Sequence, residues 1–233
     1  MKEVLAFIEK KKQYFSQLRL FKYLQNKSID PKQRLAWAPC LTPFAMSFGQ
    51  LNKYDFRKEP TDDPIQELIN KHTYEDDDHW EWFLEDLEKL GLNHFMKFSD
   101  AMRFFWGEET YKTRLIYHQI ALYTFKAEPV VVLAALEAIE ATGNVALSLT
   151  AKVVQELQET TNQSYPYFGR YHLCVEADHT IKNDNIRQFM EKIKLTENQK
   201  IQIFEVVEKV FEVFTEAVEE MMTYAEKHPI KEQ

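Results

Sequence analysis

The sequence predicts an all-α, single-domain bundle of about seven to nine helices covering residues 1–233. Three observations carry that prediction. Apolar residues recur at helical spacing along most of the chain, and no segment alternates with period two. The 233 residues include only five glycines and eight prolines, too few for the many turns of a sandwich or a doubly wound sheet. At 45% hydrophobic and 28% charged residues, the chain is also too apolar to be disordered.

The elements follow in order. Glu3 to Gln25 places Val4, Leu5, Ile8, Phe15, Leu18, Phe21 and Leu24 at helical spacing, and Asn26 with Ser28 ends the pattern. Asp30 and Pro31 read as an N-cap with proline at the first helical position. They open the apolar segment RLAWAPCLTPFAMSFGQL, which Pro39 and Pro43 are expected to kink or break. A polar linker, NKYDFRKEPTDD, leads to a helix start at Pro64, and the pattern from Ile65 to Leu90 ends at Gly91, a left-handed cap. Further helices are expected over Ser99 to Phe125, from Glu128 and Pro129 to a stop at Gly143, and from Asn144 to Glu159. After a break at Tyr165 to Gly169 come Arg170 to Thr180, Asn183 to Ile193, and a long amphipathic helix from a Thr196 cap to Lys227. That last helix is expected to pack in the core with partial contact to a second copy in a homodimer.

Charge and cysteine usage exclude several classes. A net charge of −8 gives no footprint for a phosphate backbone, so nucleic acid is not an expected partner. The longest apolar stretch, Pro129 to Leu136, is short of a bilayer span, so no membrane is expected either. The N-terminus lacks the pattern of a signal peptide. Two cysteines, Cys40 and Cys174, fit a reducing compartment, and the chain is read as cytoplasmic.

The informative residues are histidines and carboxylates on three predicted helices. His172, Glu176 and His179 in YHLCVEADH are spaced four and then three apart, which puts them on one helical stripe. Imidazole nitrogen and carboxylate oxygen are donors that divalent iron or manganese accepts, and bundles place such sites on inward stripes. His72 and His79 repeat the pattern with Glu75 and Asp76 between them. A third helix, LAALEAIEATG, carries Glu137 and Glu140 in an otherwise apolar run, where a carboxylate is costly unless paired or ligating. Either of these two can be the inward one. The plain alternative for each stripe is a solvated face or local ion pairing. In EDDDHWEWFLEDLE, residues Asp77, Asp78, Glu81, Glu85 and Glu88 are expected on a wet surface, and His79 stands out.

A His on an early helix, an isolated Glu on a middle helix and then His-x3-acid-x2-His resemble the haem-oxygenase-like di-iron oxidases. The residues carrying the resemblance are His79, Glu140, His172, Glu176 and His179, and helix order extends it over most of the chain. It implies a haem-oxygenase-like helical bundle holding two Fe(II) ions, with O2 as co-substrate, Glu140 as the bridging catalytic carboxylate and an external electron donor as partner. Two positions depart from the family pattern. Glu176 stands where Asp is usual, and the early helix, which in the family supplies a Glu several residues before the His, here has His72 seven residues before His79. The sixth ligand therefore falls to His72 or to Asp76, with Glu75 the other nearby candidate.

In the segment QRLAWAPCLTPFAMSFG and the His-rich early site, the sequence is most similar to cyanobacterial, nitrile-forming members. It implies oxidative rearrangement of a tryptophan, in the brominated form, to an indole-3-carbonitrile, a step of natural-product biosynthesis. N-oxygenation, fatty-acid decarboxylation, p-aminobenzoate formation and a metal-free protein of the same fold are the alternatives. An aromatic amino acid as small-molecule substrate needs apolar walls, for which Trp37, Phe44, Phe48 and Tyr74 are the candidates.

Overall fold

The structure, a computed structural model, describes residues 1–178 and 184–230, without the side chains of 176–178 and 184. Its helices are α1 (Lys2–Phe15), α2 (Arg19–Gln25), α3 (Ala38–Gln50), α4 (Pro64–Glu75), α5 (His79–Lys89), α6 (Phe98–Trp106), α7 (Tyr111–Thr124), α8 (Pro129–Thr161), α9 (Arg170–Asp178), α10 (Asp184–Lys192) and α11 (Glu197–Lys227). The described residues contain no strand. The all-α prediction stands, with more helices than the expected seven to nine.

Helix boundaries show where local chemistry agreed with the apolar pattern. Asp63 caps α4, its Oδ1 accepting the Ile65 and Gln66 N–H groups at 2.7 and 3.1 Å. Gly91 closes α5 at φ 65°, in the left-handed region. Thr196 and Gln199 form a capping box at the start of α11.

Elsewhere the helices divide or join differently. The first predicted helix splits because Ser16 turns its hydroxyl onto the Gln13 carbonyl, 2.7 Å away, and Leu18 is extended. The Ser99 to Phe125 segment breaks at Gly107. Conversely, Gly143 stops nothing, and α8 runs through it for 33 residues. Pro43 does not break α3 either: the Pro39 carbonyl, deprived of a backbone donor, accepts the Thr42 hydroxyl at 2.7 Å.

α8 is the central element and touches α1, α2, α4, α7, α9 and α11. Leu133 to Leu136 are all 0% exposed, so this stretch is the middle of the core. By length and apolarity α8 would reach across a bilayer, yet 61% of its most apolar window is buried within the fold, the pattern of a core helix. α11 lies against it with Ile203, Val207, Val210 and Ala217 fully buried, as expected for core packing.

Candidate metal centre

Three elements converge at one end of the core. His72 sits in the last turn of α4 and is fully buried, Asp76 lies just beyond that helix, and Glu140 projects from the middle of α8. One donor atom from each lies within 4.8 Å of the others. His72 Nε2 is 3.2 Å from Asp76 Oδ2 and 3.3 Å from Glu140 Oε1.

The break between α4 and α5 makes this cluster. Asp76, Asp77 and Asp78 are poor helix formers that oppose the dipole at the C-terminus of α4 and suit the N-terminus of α5. Arg57 clamps the turn: its guanidinium donates to Thr73 Oγ1 at 3.0 Å, to the Thr73 carbonyl at 2.9 Å and to Asp77 at 2.8 Å. α3 approaches the same turn at Gly49, where a Cβ would meet the Asp77 carbonyl at 2.8 Å. The turned-in Asp76 carboxylate thereby spans His72 on one side and His79 Nδ1, 3.5 Å away, on the other. Asn52, fully buried, faces the same carboxylate at 3.5 Å.

His79 and His172 are both buried and meet ring to ring, 4.6 Å between centroids. Trp82 stacks on His79 at 4.4 Å and lies nearly perpendicular to the His172 ring at 5.6 Å. The Tyr167 carbonyl lies 2.8 Å from His172 Nδ1. A carbonyl only accepts, so Nδ1 carries the proton and the lone pair is on Nε2, the arrangement a histidine ligand needs. That carbonyl belongs to a turn held by Asp86, whose Oδ2 accepts the Tyr167 and Phe168 N–H groups at 3.0 and 2.8 Å. Burial pushes the Asp86 carboxyl up to about 7, against the pull of the Phe168 N–H, Lys89 and the Tyr167 N–H.

The donor set fits a divalent ion. With bonds of about 2.1 Å, neighbouring ligand atoms stand roughly 3.0 Å apart in an octahedron and roughly 3.4 Å apart in a tetrahedron. The 3.2 and 3.3 Å separations around His72 Nε2 fall between those limits. The electrostatics agree. Burial alone would lower the His72 pKa, but Asp76, Glu140 and Glu75 override it and raise the pKa well above the usual imidazole value. These carboxylates call for a positive charge at this place, which a proton or a metal ion supplies.

Of the sequence-predicted ligands, His72, Asp76, His79, Glu140 and His172 thus gather at one end of the core. The tightest group is His72 with Asp76 and Glu140, rather than one built on His79. Glu176 belongs to α9, but its side chain lies outside the described residues, as does His179. Asp78, Glu81, Glu85 and Glu88 are exposed as expected, whereas Asp77 is half-buried against Arg57. Sequence reasoning missed Asp86, Arg57 and Asn52. Two of them lie in or beside a polar linker, and the third is hidden in an acidic run.

A cavity of about 130 Å³ adjoins the centre, with Asp76, His79, Glu140 and His172 at its polar end. Trp37, Phe44 and Phe48 line it, as expected for substrate walls. Tyr74 does not: it is 53% exposed, its hydroxyl donates to Glu59 at 2.8 Å, and the Arg57 guanidinium covers its ring. The outward side of α4 takes it away from the core. No protein-family model matches the chain, and no curated protein matches it.

Proposed function

We propose that the protein is a non-haem di-iron, O2-dependent oxidoreductase acting on a small substrate with a metal-binding head and an apolar body. The observation that carries this reading is the buried His72–Asp76–Glu140 group at the polar end of an apolar cavity. Two ferrous ions, when bound, supply electrons and open positions for O2. His72, Asp76 and Glu140 would hold them together with His79 and His172, and the resemblance adds Glu176 and His179.

The protein's own contribution is placement and exclusion. The Tyr167 carbonyl fixes the His172 tautomer, and the Trp82 ring limits how far His79 can turn. Aromatic and aliphatic walls keep water from the reacting atoms. Among the described residues lining the cavity none is Lys or Arg, so a substrate carboxylate has no cationic side chain there and would bind at the metal end.

As the specific reaction we propose oxidative rearrangement of a tryptophan-type amino acid, the brominated form included, to an indole-3-carbonitrile, with loss of carbon. The cavity volume of about 130 Å³ supports a compact aromatic body, because an apolar protein cavity of roughly 150 Å³ takes up benzene. A second reading, decarboxylation of a fatty acid, is favoured by length. The cavity follows α8 from Ile139 to Thr150, about 16 Å at 1.5 Å per residue.

The test is an anaerobic ferrous titration of wild type, Glu140→Ala, His72→Ala and His172→Ala, followed by O2 and product mass spectrometry with tryptophan-like amino acids and with fatty acids. Two irons in wild type, lost in the variants, with a nitrile product, are expected. An alkene product would select the second reading. Absence of stoichiometric iron in wild type, or binding indifferent to all three substitutions, would overturn both.

A further inference from the structure

Four of the five glycines have a structural reason to be glycine. Gly91 has φ 65°, and at Gly49, Gly107 and Gly169 a Cβ would meet a backbone oxygen at 2.8, 2.6 and 2.2 Å. Gly143 has no such reason. It lies inside α8, where glycine weakens the helix, and a Cβ added to it meets nothing within 4 Å. That open space is the cavity, which Gly143 lines.

Its position along α8 matters. Glu140, Gly143, Leu147 and Thr150 recur at intervals of three and four, so they form one stripe, and all four line the cavity. Gly143 is thus the next residue on that stripe after the candidate ligand Glu140. A side chain here would occupy the space beside the polar end, where the substrate atoms nearest the metal must sit. With a total volume of about 130 Å³, even one methyl group removes a sizeable share of it.

We propose that Gly143 is the specificity-determining residue of this cavity, its absent side chain making room beside Glu140 for a bulky aromatic ring. The inference rests on the cavity being the substrate site, as proposed above. It concerns steric room alone and therefore holds with or without iron in the protein.

The experiment measures calorimetric binding of two probes, benzene and indole, to the full chain as wild type, Gly143→Ala and Gly143→Leu, with ferrous stoichiometry determined in parallel. Removing a helix-interior glycine favours folding, so Gly143→Ala should raise the melting temperature by roughly 1–4 °C. It should keep benzene binding and weaken indole about tenfold, the lower end of what one methylene is worth in an apolar pocket. Gly143→Leu should lose both probes by about 100-fold while binding iron as wild type does. Indole affinity in Gly143→Leu within about threefold of wild type would overturn the proposal, as would a wild type that binds neither probe. Joint loss of probes and iron in Gly143→Leu would overturn it too, because the substitution would then have deformed α8. If wild type takes up indole, loses it in Gly143→Leu and never binds iron, the oxidase reading fails and the role of Gly143 stands.

Discussion

Asp86 is the buried group whose ionisation should be visible in the stability of the whole protein. It is 0% exposed, and its carboxyl, ordinarily at 3.8, is pushed up to about 7 by burial. Between those two pH values the native state holds one more proton than the unfolded chain, so native stability falls as pH rises. The slope is about 1.36 kcal/mol per pH unit, or about 4 kcal/mol over the interval. Asp86→Asn removes the slope and keeps the geometry. The amide oxygen accepts the Tyr167 and Phe168 N–H groups, and the NH2 group takes the place of Oδ1, which accepts no hydrogen bond from the described residues. Burying that NH2 unpaired costs about 1–3 kcal/mol at every pH and leaves the slope untouched. Urea unfolding of both proteins at pH 5 and pH 8, with a chelator present, should therefore show the Asn variant gaining about 3 kcal/mol on wild type between the two conditions. A gap constant to about 0.5 kcal/mol would mean that Asp86 is not ionised against a burial penalty, and the account of the Tyr165 to Gly169 turn would fall with it.

Two other predictions test the surroundings of the centre. Arg57→Ala should release the Asp76 to Asp78 turn and weaken ferrous binding about 10–100-fold in an anaerobic titration, the usual cost of removing a group that orients a ligand; unchanged affinity would show that the turn holds itself. Cys40 is fully buried, and burial with the nearby Glu220 carboxylate raises its thiol pKa, whereas Cys174 is exposed. Iodoacetamide at pH 8 should therefore label Cys174 alone in the native protein and both cysteines in urea, read by peptide mass spectrometry.

What the sequence made legible follows from which forces act locally. Asp63 with Pro64, Gly91 and Thr196 with Gln199 mark helix ends because capping is satisfied within a few residues of the chain. Gly143 misled for the complementary reason. A glycine that stops a helix and one that opens a cavity look alike until the packing around α8 is known. The donor residues were readable by type, but their grouping was not. A continuous helix through His72, Asp76 and His79 puts all three on one stripe, and the turn at Asp76 to Asp78, held by Arg57 from the preceding linker, gathers them differently. Asp86 was hidden because an acidic run looks uniformly wet, and only the distant turn at Tyr167 draws one of its members inside.

The charge of the donor set constrains the substrate further. Among the described ligands, Asp76 and Glu140 supply two negative charges, which balance one divalent ion, and the imidazoles add none when they ligate as neutral rings. His72 stands where the resemblance places a carboxylate, and Asp76, 3.2 Å from it, supplies that negative charge instead. With Glu176 counted as a ligand, two divalent ions would still carry one positive charge more than three carboxylates neutralise. An uncompensated charge is costly in a centre with His72 at 0% and Asp76 at 2% exposure. An anionic head group on the substrate would remove that excess, and the described residues lining the cavity include no Lys or Arg. If two divalent ions are held as proposed, that excess would favour binding of an acid at the metal end, with its apolar body laid against Gly143 and the aromatic walls beyond.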